Sequence, residues 1–409
     1  MTDVDNVIVR VHHEEWARVV ATLARRFGDL DVAEEMASEA FAIAVERWPV
    51  DGVPPNPGAW LITTAHRKGI DRFRREARRQ EMHQEVMKLS DTPEPIGAIE
   101  DDRLRLVFTC CHPALAMEAR VALTLRMVGG LTAAEIAHAF LVTEAAMSQR
   151  ILRAKSKIKV AKIPYLVPSR EDLPTRVTGV LAVLYLIFNE GYLATDPEKQ
   201  AVRNDLTAEA IRLTRLVRDL MPTDGEVAGL LALMLLTESR RTARLSASDE
   251  LVALDEQDRS AWDRELIAEG HDLVRTRLAS GQAPGRYQIL AAINAVHTDA
   301  SDFQGTDWWQ IIALYDHLLL LDPSPIVRLN RTIAVAEVDG PEVALAEIEE
   351  LPLGDYHAFH ATRALLLRRL DRNEEARAAY DRAIELAGNA AERAYLIRRR
   401  DELVGRGID

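Results

Sequence analysis

The sequence predicts an all-α protein, and three observations predict it. Apolar residues recur with the helical period through most of the 409 positions. Residues 131–159 carry the start signals of two successive short helices. A three-position apolar motif then returns twice, 33 and 32 residues on, in the last hundred residues.

Composition narrows the class. Hydrophobic residues make up 48% and charged residues 28%, the profile of a folded water-soluble chain. No apolar run is long enough to span a bilayer, and MTDVDNVIVR lacks a basic region followed by an apolar core. A cytoplasmic protein without a secretory signal is expected. Two adjacent cysteines offer no disulfide framework. The net charge of −13 is unevenly placed: residues 1–165 hold 23 Lys+Arg and 23 Asp+Glu, so the remainder carries the whole excess. Such an asymmetry suits polyanion contact in the first part alone.

Taken in order, residues 6–28 read as a helix closed by Gly28. His12, His13, Glu14 and Glu15 diverge around that helix, which makes a solvated face and not a metal site. Asp31 opens a helix through Trp48, with Ala33, Met36, Ala40, Phe41 and Ala44 on its inner side. Asp31, Glu34, Glu35 and Glu39 crowd its first half, where the dipole favours anions. They form either a protein-docking face or a plain helix-start preference. The loop VDGVPPNPG (50–58) follows. Ala59–Arg79 is one helix, with Ile62, Ala65, Gly69 and Phe73 on one face. Arg67, Lys68, Asp71, Arg74, Arg75 and Arg78 lie on the other. Seven basic and two acidic residues between His66 and Arg79 make a stripe suited to phosphate, or a solvated face.

Residues 80–99 lose periodicity and read as a linker. Helices resume at Asp101–Cys110 and Met117–Val128. Cys110-Cys111-His112 is expected to serve packing, since vicinal cysteines chelate one tetrahedral ion poorly. Thr132 and Glu135 form a capping box, and Thr143 is an N-cap after a turn near 140–142. In the second helix Met147, Ile151, Ala154 and Ile158 share one face. Ser148, Gln149, Arg150, Arg153, Lys155, Lys157 and Lys159 occupy the others, with no acid between Ser148 and Lys162. This describes a helix-turn-helix whose second helix enters the major groove, with a packed hairpin bearing a basic face as the rival.

Residues 174–190 are apolar all round and predict a buried helix. Further helices are expected near 206–221, 225–238, 258–279 and 284–298, with Trp262, Trp308 and Trp309 in the core or a groove. Ile311-x₃-Tyr315-x₂-Leu318, Ala344-x₃-Ile348-x₂-Leu351 and Ala376-x₃-Tyr380-x₂-Ala383 match the spacing of the second helix in tetratricopeptide-type hairpins, against an ordinary bundle. Stacked pairs build a concave surface, so a protein or peptide partner is expected there.

On these residues the stretch 10–162 resembles a bacterial extracytoplasmic-function sigma factor of RNA polymerase. The strings are DLDVAEEMASEAFAIAVERW (29–48), PGAWLITTAHRKGIDRFRRE (57–76) and GLTAAEIAHAFLVTEAAMSQRILRAKSKI (130–158). The resemblance implies that Asp31, Glu34, Glu35, Glu39 and Phe41 meet core polymerase. It implies that Trp60, Arg67, Lys68, Asp71, Arg72 and Arg75 meet the −10 element, a set to which Arg74 of the same stripe belongs. Ser148, Gln149, Arg150 and Arg153, with Lys155 and Lys157 of the same helix, would meet the −35 element. The acidic remainder resembles the helical-repeat extension of one sigma group, through LYLIFNEGY (184–192). The chain departs from the pattern at Leu141, where the turn usually has Gly, and at Arg67, where the −10 helix usually has Asn.

The expected organisation is therefore 1–80 as sigma region 2, 81–100 as linker, 101–165 as the region 4 helix-turn-helix and 170–409 as the helical extension. No cofactor, metal or catalytic residue is expected, and no membrane partner. The rival function is a helix-turn-helix regulator with a ligand- or protein-sensing helical domain. An enzyme finds no glycine-rich phosphate loop, H-E-x-x-H or G-x-S-x-G string.

Overall fold

The computed structural model describes residues 3–80, 99–140, 142–192, 204–244, 246, 251–388 and 390–403. Among these the chain forms helices and no strand. The linker expected at 81–100 falls, for 81–98, outside the described residues, as does Leu141. No described helix is long and apolar enough to cross a membrane. The chain divides into two compact units, Met1–Ile187 and Phe188–Asp409.

In the first unit α1 (Asp3–Phe27), α2 (Leu30–Asp51) and α3 (Pro57–Gln80) pack on one another. Asp29 caps α2 by accepting from the Asp31 and Val32 amides. The expected loop at 50 begins later, because α2 continues through Pro49 and closes when the Gly52 amide donates to Trp48 O. In α3, Leu61, Ala65 and Ile70 are buried and Ile62 is half-buried, so the inner face is turned slightly from the one predicted. Gly69 lies so close to the Phe27 ring that a Cβ would fall 2.3 Å from it.

Then come α4 (Ile99–Cys110), α5 (Met117–Thr124), α6 (Ala133–Ala139) and α7 (Glu144–Val160). Between α5 and α6 the backbone widens into a π-helical turn, Leu125–Gly129, which the sequence periodicity did not reveal. Gly130 ends it with φ +81°, and a Cβ there would sit 2.9 Å from the rings of His12 and Trp16. The Thr132–Glu135 capping box forms, and Thr143 accepts from the Ala146 amide. Met147, Ile151, Ala154 and Ile158 are all buried, so the periodic face of α7 is its inner face. Helix α8 (Leu173–Tyr192) crosses the boundary between the units. Its first turns belong to unit one, where Arg176 donates to Phe108 O at 2.6 Å and lies over the Phe108 ring.

The second unit holds α9 (Asn204–Leu220), α10 (Gly225–Glu238), α11 (Arg241–Arg244), α12 (Arg264–Ala279) and α13 (Arg286–Asp299). It continues with α14 (Trp308–Leu321), α15 (Pro325–Val338), α16 (Pro341–Glu349), α17 (His357–Arg369), α18 (Asn373–Leu386) and α19 (Ala390–Asp401). The expected helix at 258–279 is broken at Trp262, and Asp263 caps a new start. Helix α10 is buried on nearly every side, between α9, α12 and α13. The recurring motif falls on α14, α16 and α18. Ile311, Leu318, Ala344, Ile348, Ala376, Tyr380 and Ala383 are buried in one core, while Tyr315 and Leu351, the latter just beyond α16, are half-buried against it. Trp262 is buried, whereas Trp309 is 68% exposed and so is no core residue, one of the two placements expected for it.

Candidate nucleic-acid interface

Three surfaces of unit one carry the residues singled out in the sequence. The first lies between α5 and α7. Gln149, Arg150, Arg153 and Lys157 project from α7 toward small or apolar walls at Leu115, Ala116, Ala119, Ala145 and Ala146, and no acid lines the groove. Alanine walls keep the floor low, so a polymer backbone can come close to the cations. Ser148 is exposed beside them. An acid-free groove with two guanidiniums, an ammonium and an amide suits phosphate neutralisation and base-edge hydrogen bonding.

Lys155 is not part of this groove. The α-helical period carries it around to the opposite flank, where it meets Asp31 at 2.8 Å and also Glu34. Its side chain is only 9% exposed. Burial opposes its charge, but the Glu34 and Asp31 carboxylates outweigh that and hold the ammonium above its usual pKa. The sequence grouped Lys155 with the −35 residues because its neighbours are basic; the carboxylates that claim it lie more than 120 residues away in the chain.

The second surface is the acidic start of α2. Glu34 is also paired with Arg126 of the π-helical turn, and Asp29 accepts from Lys159 at 2.9 Å. Burial would raise the Asp29 carboxyl, yet the Lys159 ammonium and the Val32 and Asp31 amides hold it below its usual range. Phe41, on the inner side by its periodicity and on the polymerase surface by the resemblance, is buried against His12 at 4.8 Å and Trp16 at 5.8 Å. The Trp16 indole donates to Arg126 O at 3.2 Å. Asp31 and Glu34 are thus turned to residues 126–159 and Phe41 to α1, while Glu35 and Glu39 point toward α3.

The third surface is α3. Lys68 pairs with Glu39 at 3.6 Å, and Arg72 pairs with Glu35. Arg67, Asp71 and Arg74 are exposed, and the Arg75 side chain lies outside the described residues. Trp60 is half-buried and edge-on to Trp48, 5.5 Å between ring centres, a platform at the N-terminal end of the helix. Asn56 fixes that end by accepting from the Ala59 amide.

Two features escaped the sequence reading. Asp102 is fully buried and receives Arg25 and Arg105, each at 2.7 Å. Burial raises its carboxyl pKa despite both guanidiniums. The Tyr165 hydroxyl lies 3.0 Å from both Ala21 O and Asp102 O, strapping the segment after α7 to α1 and α4. A lone Tyr and Asp have no local signal that would reveal such a tie. Cys110 and Cys111 are buried. Burial pushes both thiols up, Cys111 to about 11, which suits packing and not thiolate chemistry.

Comparison with known proteins follows the same division. The Sigma-70 region 2 family matches residues 13–79, and the Sigma-70, region 4 family matches 105–158. A family of unknown function (DUF6596) matches 176–278. An uncharacterized protein of Rhizobium meliloti is 44% identical over 400 residues, covering 94% of this chain and 93% of the relative. The ECF RNA polymerase sigma factor SigK of Mycobacterium ulcerans is 32% identical over 130 residues, 30% of this chain and 67% of that protein. The probable ECF RNA polymerase sigma factor SigI of Mycobacterium tuberculosis is 28% identical over 168 residues, 39% of this chain and 57% of that protein's length. No solved structure matches significantly.

Proposed function

The chain belongs to the extracytoplasmic-function sigma factors of RNA polymerase, and on that premise we propose how its surfaces divide the work. A sigma factor works on core polymerase and promoter DNA without catalysis of its own. The acidic start of α2, with Asp31, Glu34, Glu35 and Glu39, docks on core polymerase, and Phe41 lies behind it. Trp60, Arg67 and Arg74 of α3 hold the unpaired −10 strand, with Lys68, Asp71, Arg72 and Arg75 beside them. Ser148, Gln149, Arg150, Arg153 and Lys157 read the −35 duplex, and Lys155 leaves that set.

The observation that carries this is the acid-free groove between α5 and α7, together with a separate helix that exposes Arg67 and Arg74 and carries an aromatic platform at its N-terminal end. Bidentate contacts to base edges supply sequence choice, and cation–phosphate contacts supply salt-dependent affinity. A base stacked on an aromatic ring recovers a few kcal/mol of the unstacking cost, which lets binding favour melting. The domain limits that go with this are 1–80, 81–100, 101–165 and 170–409. The protein acts in the cytoplasm, where polymerase and promoter meet.

The extension has an integral, supporting role in cis, and its motif-bearing helices form tetratricopeptide-like pairs open to a protein or peptide partner. Burial of seven of the nine motif positions in one core, with Tyr315 and Leu351 half-buried against it, supports that reading. Capture of purified core polymerase tests the division directly. Glu35→Gln with Glu39→Gln weakens capture, while Arg150→Ala with Arg153→Ala leaves capture intact and abolishes −35 dependence. Loss of capture in both variants, or in neither, contradicts the assignment.

A further inference from the structure

The acidic start of α2 is closed over by the chain's own C-terminal neighbours. Lys155 reaches Asp31 and Glu34, Arg126 reaches Glu34, and Lys159 reaches Asp29. These contacts join residues 92 to 130 positions apart, across the segment expected to link the two promoter-reading parts. Beneath them the seam is apolar and close: Trp16 and Phe41 are buried, and Gly130 leaves no room for a side chain against His12 and Trp16. A cavity of about 220 Å³ remains in the seam, between the α2 start and the strap carrying Tyr165.

We infer that this structure is a latched state in which Lys155 and Arg126 occupy the polymerase-docking acids Asp31 and Glu34, with Lys159 held on the adjoining cap residue Asp29, so that polymerase binding requires the seam to open. The inference rests on the proposed docking role of those acids and adds its regulation. Charge complementarity is what makes the latch selective. The partner that displaces it must itself present cations to Asp31 and Glu34, and core polymerase is that partner under the assignment above. The latch masks one function only. The α5/α7 groove and the exposed cations of α3 stay open, so the latched chain touches DNA but does not recruit the enzyme. Because Lys155 is nearly enclosed and bound to two carboxylates, it contributes most, and Lys159, at 75% exposure, contributes least.

Two full-length variants, measured for affinity to purified core polymerase, test the latch in opposite directions. Lys155→Gln removes the central cation, and a two- to tenfold tighter dissociation constant is expected, on the order of the coupling such pairs supply. Lys159→Gln should shift it the same way by less. Asp29→Cys with Lys159→Cys, joined by a short reducible cross-linker, holds the seam shut; Cys110 and Cys111 are buried and do not compete. The locked chain should lose at least tenfold in affinity and recover on reduction. Unchanged affinity in the locked chain, while Glu35→Gln/Glu39→Gln still weakens capture, overturns the latch and leaves the docking surface standing. If Glu35→Gln/Glu39→Gln has no effect, the docking assignment itself fails and the latch falls with it. A latch defect from misfolding is excluded by an unchanged far-ultraviolet helical spectrum, and the cross-linked chain supplies its own reduced control.

Discussion

Removing Arg150 and Arg153 together should change how DNA binding responds to salt, by an amount the groove itself sets. Both guanidiniums face a groove with no carboxylate in its lining, so each is available to neutralise one phosphate. Each such contact contributes about 0.9 to the slope of log K against log salt, so the double alanine variant should be shallower by about 1.8. Between about 50 and 200 mM salt that amounts to roughly a twelvefold smaller loss of affinity. The assay is fluorescence anisotropy of a labelled duplex of arbitrary sequence, titrated with the chain free of polymerase across that range. Lys155→Gln is the informative control. It lies in the same basic run, but its charge is already taken by Asp31 and Glu34, so its slope should match the parent. A double variant with the parental slope, or a Lys155→Gln slope as shallow as the double variant's, refutes the placement of the groove.

Further outcomes concern stability. Tyr165→Phe deletes a hydroxyl bonded to Ala21 O or Asp102 O, and denaturant titration should show a loss of about 1 kcal/mol. Arg176→Gln removes the guanidinium that bonds Phe108 O, and denaturant titration of the full chain should show a loss of about 1.5–3 kcal/mol. His297 is pushed down to about 3 by burial and by the nearby Arg240 and Arg259 charges. The unfolded chain therefore binds a proton below about pH 6.5 that the folded chain refuses, and stability falls as pH drops through that value. At pH 5 the penalty is about 2 kcal/mol relative to pH 7, and His297→Gln should remove it when unfolding is followed at both pH values.

What the sequence disclosed and what it hid divide along the range of the interactions. Helix α7 was legible because its inner face is a local period and its cap a single Thr143. The groove cations were legible because a run free of acids has nothing nearby to neutralise it. Lys155 was misplaced because its surroundings, Asp31 and Glu34, come from residues far along the chain, whereas Phe41 was legible as buried from the local period of α2. The π-helical turn at Leu125–Gly129 was invisible for a related reason. It inserts one residue into an otherwise helical pattern, and its rationale, bringing Arg126 to Glu34 and its carbonyl to Trp16, is tertiary. The three-position motif was legible in the extension because seven of its nine positions are buried in one core, with Tyr315 and Leu351 packed half-buried against it.

Run-off transcription by holoenzyme reconstituted from core polymerase and the full chain tests the central claim most directly, that two separate cationic helices grip opened and closed parts of one promoter. The account predicts that Arg67→Ala with Arg74→Ala, and separately Arg150→Ala with Arg153→Ala, each cut specific transcript by at least tenfold while core binding persists. Undiminished transcript from either variant would contradict it.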